Sequence, residues 1–261
     1  IFTETRRICS PSTRFAVETC LLNRLAQLAG RPLWQLLRNP TLTAPPETLP
    51  TSALLDPNST EVIERAQHLF DAGVRTFKLK VGHRIEHELD LLGQLRRRFG
   101  ADLRLRVDPN STWTDEEASK LQAVNDDLHI EWLEDPTEEA DTWHDLECSI
   151  PLAADEVLVG EEPSATFLDW LHVGVVVLKP MALGGFSACL DWARIAERSG
   201  RVVSVSHFFD GPVALDATIQ LAFAVQSPGI TPGLGLHDGL FAWSTSSLYA
   251  STDHIVRPAF P

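Results

Sequence analysis

From residue 49 onward, short apolar runs alternate with longer segments in which apolar residues recur every three or four positions. The short runs are typical of buried strands, and the three-to-four spacing is typical of helices that bury one face. The runs predict strands at residues 51–55, 75–81, 103–108, 129–134, 151–155, 175–179, 202–206 and 234–236. The segments between them predict helices at residues 58–72, 85–99, 114–125, 138–148, 164–172, 187–199 and 213–225.

This alternation repeats about eight times, with about 25 residues in each unit. Repeated β/α units predict a parallel sheet covered by helices, and the number of units and the length favour a (β/α)8 TIM-type barrel. A doubly wound open sheet is the alternative. No GxGxxG motif follows the first strand, so nothing favours a dinucleotide site.

A different pattern precedes the repeat. Ser10 or Ser12 can cap a helix whose apolar stripe ends at Gly30, and Pro32 can start a short second helix. Residues 39–50 are rich in Pro and Thr, which predicts a linker or an extended crossing.

Composition and charge narrow the class of protein. The 261 residues, 44% hydrophobic and 22% charged, are enough to bury a large core. A net charge of −14 without a long basic run argues against nucleic acid and against an anionic membrane surface as partners. No apolar run approaches the length of about 18 residues that a membrane span needs. The four cysteines lack metal-binding spacing, which predicts free thiols in a reducing cytoplasm.

Two lysines stand out on the second predicted strand, TFKLKVG at residues 76–82. Lys78 and Lys80 are two residues apart, so both point to the same side. Burial and a second nearby cation both lower a lysine pKa, which predicts a lysine base that works near neutral pH. Alternatively, both ammonium groups reach water at a strand end.

Ionisable residues also end five of the predicted strands: Lys80, Asp108, Glu134, Asp155 and Lys179. Their spacings are 28, 26, 21 and 24 residues, about one β/α unit each. In a barrel, these side chains would meet at the C-terminal mouth, where active sites of this fold lie.

Asp108, Glu134 and Asp155 come from three consecutive strands. Three carboxylates without His or Cys suit Mg²⁺, with Mn²⁺ as a possible substitute. Alternatively, each carboxylate caps the helix that follows it. Unneutralised carboxylates at one mouth would repel one another, which favours the metal.

Lys80 and Lys179 are predicted on opposite sides of the barrel, so a metal-bound substrate carboxylate would lie between them. The α-proton of a carboxylate is very weakly acidic, and its removal requires both a divalent charge and a base. The sequence therefore predicts proton abstraction next to a carboxylate.

The motifs TFKLKVG, LRVDPN, EWLEDP, AADE and VVLKP resemble the enolase superfamily, in the muconate-lactonizing-enzyme-like branch whose base sits on a K-x-K strand. The unbroken LKP, SVSHFFDGP and PGLGLHD are similar to the o-succinylbenzoate synthase family within it. The resemblance covers about residues 10 to 245. The superfamily's EEP stands here as EDP, which keeps the metal ligand Glu134.

The resemblance implies roles for the charged residues. Lys80 is the general base and then helps the hydroxyl leave, while Lys78 tunes the pKa of Lys80 and contacts the carboxylate. Lys179 stabilises the enediolate as a cation. The Mg²⁺ ligands are Asp108, Glu134 and Asp155.

The resemblance also implies substrate-binding residues. Arg106 and Asn110 either support the site from behind or orient the carboxylate. Ser204 or Ser206 can hold the distal succinyl carboxylate, or both serines are ordinary polar strand residues. Glu156 is expected to be a bystander or to support the site from behind. His207 is expected to be structural.

The domain division follows from the same resemblance. Residues 1–48 are expected to be the remnant of a capping-domain junction and linker, 49–245 the catalytic barrel, and 246–261 a C-terminal tail. Because the chain begins at Ile1 and lacks most of an N-terminal α+β capping domain, we interpret it as part of a longer protein. Without a cap the mouth would stay wet, which weakens its electrostatic interactions.

Three functions remain open from the sequence. The first is a Mg²⁺-dependent lyase that forms o-succinylbenzoate in menaquinone synthesis. The second is an N-acylamino acid racemase or dipeptide epimerase with Lys80 and Lys179 as two bases. The third is an inactive barrel fragment with a binding role. The expected partner is a small carboxylate, and the oligomeric state stays open.

Overall fold

A computed structural model describes residues 1–39, 44–146, 149–237, 239–240, 243 and 251–259. Its centre is a seven-stranded parallel sheet in which every strand pairs with the next strand along the chain. The strands are β2 (Ser52–Leu55), β3 (Thr76–Lys80), β4 (Arg104–Asp108), β5 (Ile130–Glu134), β6 (Leu152–Ala154), β7 (Val175–Leu178) and β8 (Val202–Val205). The first seven predicted strands are thus confirmed.

The prediction of an eighth strand at residues 234–236 is wrong, since these residues form no strand. The chain instead runs between β8 and β2 just before that point. Gly233 N–H donates to the Val205 carbonyl at 2.8 Å, and Ser52 N–H donates to the Pro232 carbonyl at 3.1 Å. A side chain at Gly235 would clash, because its Cβ would lie 2.4 Å from the Ser52 carbonyl oxygen. An irregular segment therefore joins the two edges of the barrel.

The helices cover the outside of the sheet. They are α4 (Val62–Asp71), α5 (Ile85–Phe99), α6 (Asp115–Ala123), α7 (Asn125–Leu128), α8 (Ala165–Trp170), α9 (Pro180–Leu183), α10 (Gly185–Arg198) and α11 (Pro212–Val225). Outward-facing strand residues such as Leu79, Val107 and Leu133 are buried against them. Because both faces of such a strand are covered, its inward-facing polar residues lie inside the barrel.

The predicted α-helix at 138–148 is also wrong. Residues Ala140–Asp145 form a 3₁₀ helix, and residues 147–148 lie outside the described ranges. The Trp143 indole is buried and donates to the Thr137 hydroxyl oxygen at 3.1 Å, and the Thr142 hydroxyl donates to the Glu139 carbonyl at 2.9 Å. Side-chain bonds to nearby groups of this kind compete with a regular helix.

The helices before the barrel are α1 (Phe2–Thr5), α2 (Pro11–Ala29) and α3 (Leu33–Leu37). Ser10 caps α2, and Gly30 ends it in the left-handed conformation, as predicted. Helix α2 packs against α9 and α10, and α3 packs against α11. Two short strands that the sequence did not predict, β1 (Thr48–Pro50) and β9 (His254–Val256), pair antiparallel.

Among the helices in the described ranges, none combines the length and hydropathy needed to cross a bilayer.

Candidate functional site

The two lysines of β3 face the barrel interior but differ in exposure. The Lys78 side chain is 15% exposed, and its Nζ lies 2.8 Å from Asp108 Oδ2 and also pairs with Glu134. The Lys80 side chain is 41% exposed and its Nζ donates to Asn110 Oδ1 at 2.8 Å. Lys80 is therefore the lysine with access to a ligand, while Lys78 is held below it.

The carboxylates predicted to bind metal converge from consecutive strands. Asp108 ends β4, Glu134 ends β5 and Asp155 follows β6, and all three are buried. Lys179, directly after β7, pairs with Asp155 and lies 2.8 Å from Glu156 Oε1. The structure thus brings all five predicted strand-end residues to one mouth.

Charge coupling in this cluster is strong. Burial alone would lower the pKa of Lys78, but Glu134, Asp108 and Asp155 outweigh it, so the pKa of Lys78 is raised well above its usual value. The pKa of Lys179 is raised in the same way, against burial and mainly by Asp155. Lys78 is therefore not the lysine base that the sequence predicts, because the carboxylates around it outweigh desolvation and hold its proton.

The neighbouring lysines do not lower the pKa of every carboxylate in the cluster. Burial and the neighbouring Glu134 raise the pKa of Asp155 well above its usual value, and burial raises the pKa of Asp108 despite Lys78. Burial acts on Glu134 as well, but Lys78 outweighs it and the pKa of Glu134 is lowered. The cluster thus holds more carboxylate charge than its lysines neutralise.

The donor set fits a small divalent cation. Asp108 Oδ2 and Asp155 Oδ2 are buried, and each is paired with an ammonium group, of Lys78 and of Lys179, without a well-aligned hydrogen bond from the described residues. One oxygen from each of Glu134, Asp155 and Glu156 lies within 4.8 Å of the others. Hard carboxylate oxygens of this kind are the ligands that Mg²⁺ prefers. The geometry adds Glu156 as a neighbour of the predicted set.

The loop after β4 holds Asp108 and Asn110 in place. Asn110 N–H donates to Asp108 Oδ1 at 2.9 Å, and Asn110 and Ser111 both have positive φ, 53° and 62°. Non-glycine residues in this region are uncommon and cluster at functional sites. The turn aims the Asn110 amide oxygen at Lys80.

Arg106 does not reach the mouth. It is 2% exposed, its Nε donates to Glu131 Oε2 at 2.6 Å, and its guanidinium lies 3.6 Å from the Trp132 ring centroid. It therefore packs one layer below Asp108, inside the barrel. This placement agrees with the alternative in which Arg106 supports the site from behind, and it gives no support to direct contact between Arg106 and a substrate carboxylate.

The two candidate serines also differ. Ser204 is buried, and its hydroxyl lies 3.4 Å from the Thr231 carbonyl. Ser206 lines the cleft, with its hydroxyl 3.2 Å from the Gly233 carbonyl. Of the two, only Ser206 faces the space where a ligand can bind.

The cleft at the mouth has a volume of about 820 Å³. Its charged lining residues are Asp56, Arg65, Lys78, Lys80, Glu156 and Lys179, and its aromatic lining residues are His207, Phe208, Phe209 and His237. His207 Nδ1 accepts from Phe209 N–H at 2.9 Å and Nε2 lies 3.0 Å from the Gly235 carbonyl. Burial and His237 lower the pKa of His207 to about 4, so it stays neutral, in line with the expected structural role.

Two carboxylates matter more than the sequence indicated. Glu156 pairs with Lys179. Asp135, with φ 39°, accepts from Asp155 N–H at 3.0 Å and from Val157 N–H at 3.2 Å, which fixes the Asp155 loop. One feature of the sequence could have indicated that further carboxylates lie here. The chain has only four lysines, and three of them, Lys78, Lys80 and Lys179, lie in this site and need anionic partners.

Comparison with known proteins places this geometry in a family. The model of the family described as "Enolase C-terminal domain-like" matches residues 61–246. The o-succinylbenzoate synthase of Thermobifida fusca is 31% identical over 193 residues, which cover 72% of this chain and 59% of that protein. Protein PHYLLO, chloroplastic, of Arabidopsis thaliana is 29% identical over 274 residues, which cover 96% of this chain and 16% of that protein.

A solved structure agrees with these matches. The crystal structure of the dipeptide epimerase from Methylococcus capsulatus, complexed with Mg ion, has a TM-score of 0.82 and is 25% identical, covering 97% of this chain and 73% of that one. The chain spans less than two thirds of the length of either of these two curated relatives. It belongs to the enolase C-terminal domain-like family, in the muconate-lactonizing-enzyme-like branch of the enolase superfamily.

Proposed function

We propose that this barrel removes the α-proton of a carboxylate substrate and eliminates water, as a Mg²⁺-dependent lyase. The substrate is 2-succinyl-6-hydroxy-2,4-cyclohexadiene-1-carboxylate, and the product is o-succinylbenzoate, an intermediate of menaquinone synthesis. The observation that carries the proposal is the placement of Lys80 and Lys179 on opposite walls of one cleft, with three buried carboxylates between their strands.

Each residue at the mouth has a role in the proposed reaction that follows from its position. Asp108, Glu134 and Asp155 would hold Mg²⁺, whose positive charge makes the α-proton of a bound carboxylate more acidic. Lys80 Nζ, in its neutral form, accepts that proton as the C–H bond breaks. Lys179, which keeps its charge, faces the negative charge that develops on the carboxylate. The ammonium of Lys80 then donates its proton to the leaving hydroxyl on the same face, which releases water.

A second candidate is epimerisation of a dipeptide or an N-acylated amino acid. It is favoured by the similarity to the Methylococcus capsulatus dipeptide epimerase and by the same two lysines, which can act as bases on opposite faces of an α-carbon. The o-succinylbenzoate synthase of Thermobifida fusca, 31% identical over 72% of this chain, supports the lyase. The charge that Lys179 keeps also suits a stabilising cation better than a second base.

The deciding experiment is turnover of the cyclohexadiene substrate by this chain with Mg²⁺, beside a chelator control. Lys80→Ala is expected to lower kcat by roughly 10²- to 10⁴-fold, because the general base is lost. Lys120→Ala is the matched control, since Lys120 lies on the surface beside Glu86, and it is expected to leave turnover unchanged.

Lys179→Arg separates the two reactions. Arginine keeps the positive charge but does not act as a base. The lyase is therefore expected to retain part of its turnover in this variant, whereas a two-base epimerase is expected to lose all of it. Dipeptide epimerisation without aromatisation would favour the second candidate. Failure of the chain to bind Mg²⁺ would support a barrel with a binding role only.

A further inference from the structure

Two buried glutamates lie directly behind the segments that follow the two lysines. Glu88, on α5, is 2% exposed, and Glu18, on α2, is fully buried. The donors that the structure gives them are neutral backbone N–H groups and hydroxyls. A buried carboxylate is costly unless it is well hydrogen-bonded, so these bonds indicate what each glutamate does.

Glu88 accepts hydrogen bonds from three successive backbone N–H groups. Its Oε1 accepts from Gly82, His83 and Arg84 at 3.0, 2.9 and 3.1 Å. This segment begins two residues after Lys80. Gly82 has φ 116°, and a Cβ on it would lie 1.9 Å from the Thr112 hydroxyl oxygen. Charge-assisted bonds to successive amides fix a backbone direction, here the one in which the chain leaves β3.

Glu18 has the corresponding position behind Lys179. Its Oε2 accepts from Ser187 N–H at 3.0 Å, and its Oε1 accepts from the Ser187 and Thr5 hydroxyls at 2.7 and 2.6 Å. Ser187 lies in the first turn of α10, where a negative charge is favourable. A Cβ on Gly185 would lie 2.4 Å from Glu18 Oε2. Glu18 thus ties α2 to the α9–α10 segment that starts immediately after Lys179.

We propose that Glu88 and Glu18 are positioning residues, which set the Nζ positions of Lys80 and Lys179 by fixing the backbone behind each strand end. The inference rests on the proposed function for the roles of the two lysines. Small displacements of a reacting group can lower rates by about 10²-fold, so loss of either carboxylate is expected to lower kcat more than it changes KM.

The test uses the small number of lysines. With ¹³C-lysine labelling, NMR gives four side-chain signals, which Lys→Arg variants assign. Glu88→Ala is expected to shift the Lys80 signal and leave those of Lys179 and Lys120 in place. Glu18→Ala is expected to shift Lys179 and leave Lys80 and Lys120. The matched control, Glu86→Ala, removes an exposed first-turn glutamate of α5 that lies 3.2 Å from Lys120 Nζ, and should shift Lys120 alone.

Milder variants keep the test decisive if the alanine variants do not fold. Glu88→Asp withdraws the carboxylate by one methylene, and Ser187→Ala removes one of the donors to Glu18; each is expected to shift only its own lysine signal. Glu88→Gln keeps one oxygen acceptor, so the Lys80 signal of this variant is expected to lie close to its wild-type position.

Turnover is measured in the same variants, with kcat expected to fall about 10- to 100-fold and KM to change less than about threefold. Unchanged lysine signals in folded Glu88→Asp and Ser187→Ala would overturn the inference. Equal shifts of all four signals would also overturn it, since the glutamates would then serve overall stability only. If the wild-type chain shows no turnover but the signals shift as expected, the proposed function fails and the positioning role stands.

Discussion

Neighbouring residues on one strand face can have different chemistry when their depth differs. Lys78 and Lys80 share the inner face of β3, but Lys78 is enclosed by Asp108 and Glu134, whereas the hydrogen-bond partner of Lys80 among the described residues is Asn110. A lysine paired with two buried carboxylates keeps its proton. The exposed position is thus the one suited to exchange a proton with a ligand.

Asp216 on α11 should make the protein less stable as pH rises. Its Oδ1 is buried without a hydrogen-bond partner among the described residues, and burial raises the pKa of its carboxyl from 3.8 to about 6. The folded state therefore keeps a proton that the unfolded state loses. This contribution is fully present below about pH 4 and is lost as pH rises through about 6.

Asp216→Asn should remove this dependence and increase the free energy of unfolding at pH 7 by about 2 to 3 kcal/mol. Urea unfolding of both proteins at pH 4 and pH 7 measures it. The lowered pKa of His207 changes the free energy of unfolding in the opposite direction, because the stability that depends on neutral His207 is gained as pH rises. For this reason, the test compares the pH dependence of the variant with that of the wild type. An equal pH dependence in both proteins would contradict the assignment.

At the scale of elements, the prediction from sequence was accurate where a repeating pattern was present. The strand predicted at 75–81 is found at Thr76–Lys80, and the helix predicted at 85–99 is found at Ile85–Phe99. It failed at 138–148 and 234–236, where side-chain bonds around Trp143 and bonds to two separate strands decide the path. Local patterns do not contain these contacts, because the partners are set by tertiary structure.

The connection between β3 and α5 should tolerate only glycine at position 82. Gly82→Ala is expected to lower the free energy of unfolding by about 3 kcal/mol, because it combines a strained positive φ with a Cβ 1.9 Å from the Thr112 hydroxyl oxygen. Chemical denaturation measures the loss.

Gly30→Ala is the matched control for this change. Gly30 also has a positive φ, 62°, but a Cβ there would meet nothing within 4 Å. Its cost should therefore be the backbone term alone, about 1 kcal/mol. Equal costs at the two positions would show that the approach of Thr112 is relieved without loss of stability.

At the scale of the whole molecule, closing the sheet brings the charges together. The charged strand ends are far apart in sequence, yet the parallel register pairs Lys80 with Asp108, and the order of the strands brings β7 with Lys179 opposite β3. Burial and the neighbouring Glu134 then raise the pKa values of Asp108 and Asp155 at the mouth, although both carboxylates are paired with lysines.

Mg²⁺ should therefore stabilise the whole fold. At a free concentration 100 times its Kd, a ligand that binds only the folded state adds about 2.7 kcal/mol. Thermal unfolding with Mg²⁺ and with a chelator measures the shift in Tm. Without Mg²⁺, Asp155→Asn should be at least as stable as the wild type, because the variant removes a carboxyl whose pKa is already raised by burial and by Glu134.

The Mg²⁺-dependent shift is expected to disappear in Asp108→Asn, Glu134→Gln and Asp155→Asn. Asp102→Asn is the control, since Asp102 is exposed at the other end of β4, and it should keep the full shift. A Mg²⁺-dependent shift that survives all three substitutions would place the cation elsewhere.

The sequence by itself determined the alternation of strands and helices, and thereby the barrel and the five charged strand ends. The alternation depends on local periodicity, which can be read directly from one sequence. The meeting of the strand ends follows from the parallel order of strands in a barrel. Only the tertiary structure decided that Ser206 rather than Ser204 faces the cleft, that Arg106 lies beneath it, and that Glu156 joins Lys179. Depth within a barrel and contacts between distant segments depend on how the strands tilt and pack, and no local pattern records them.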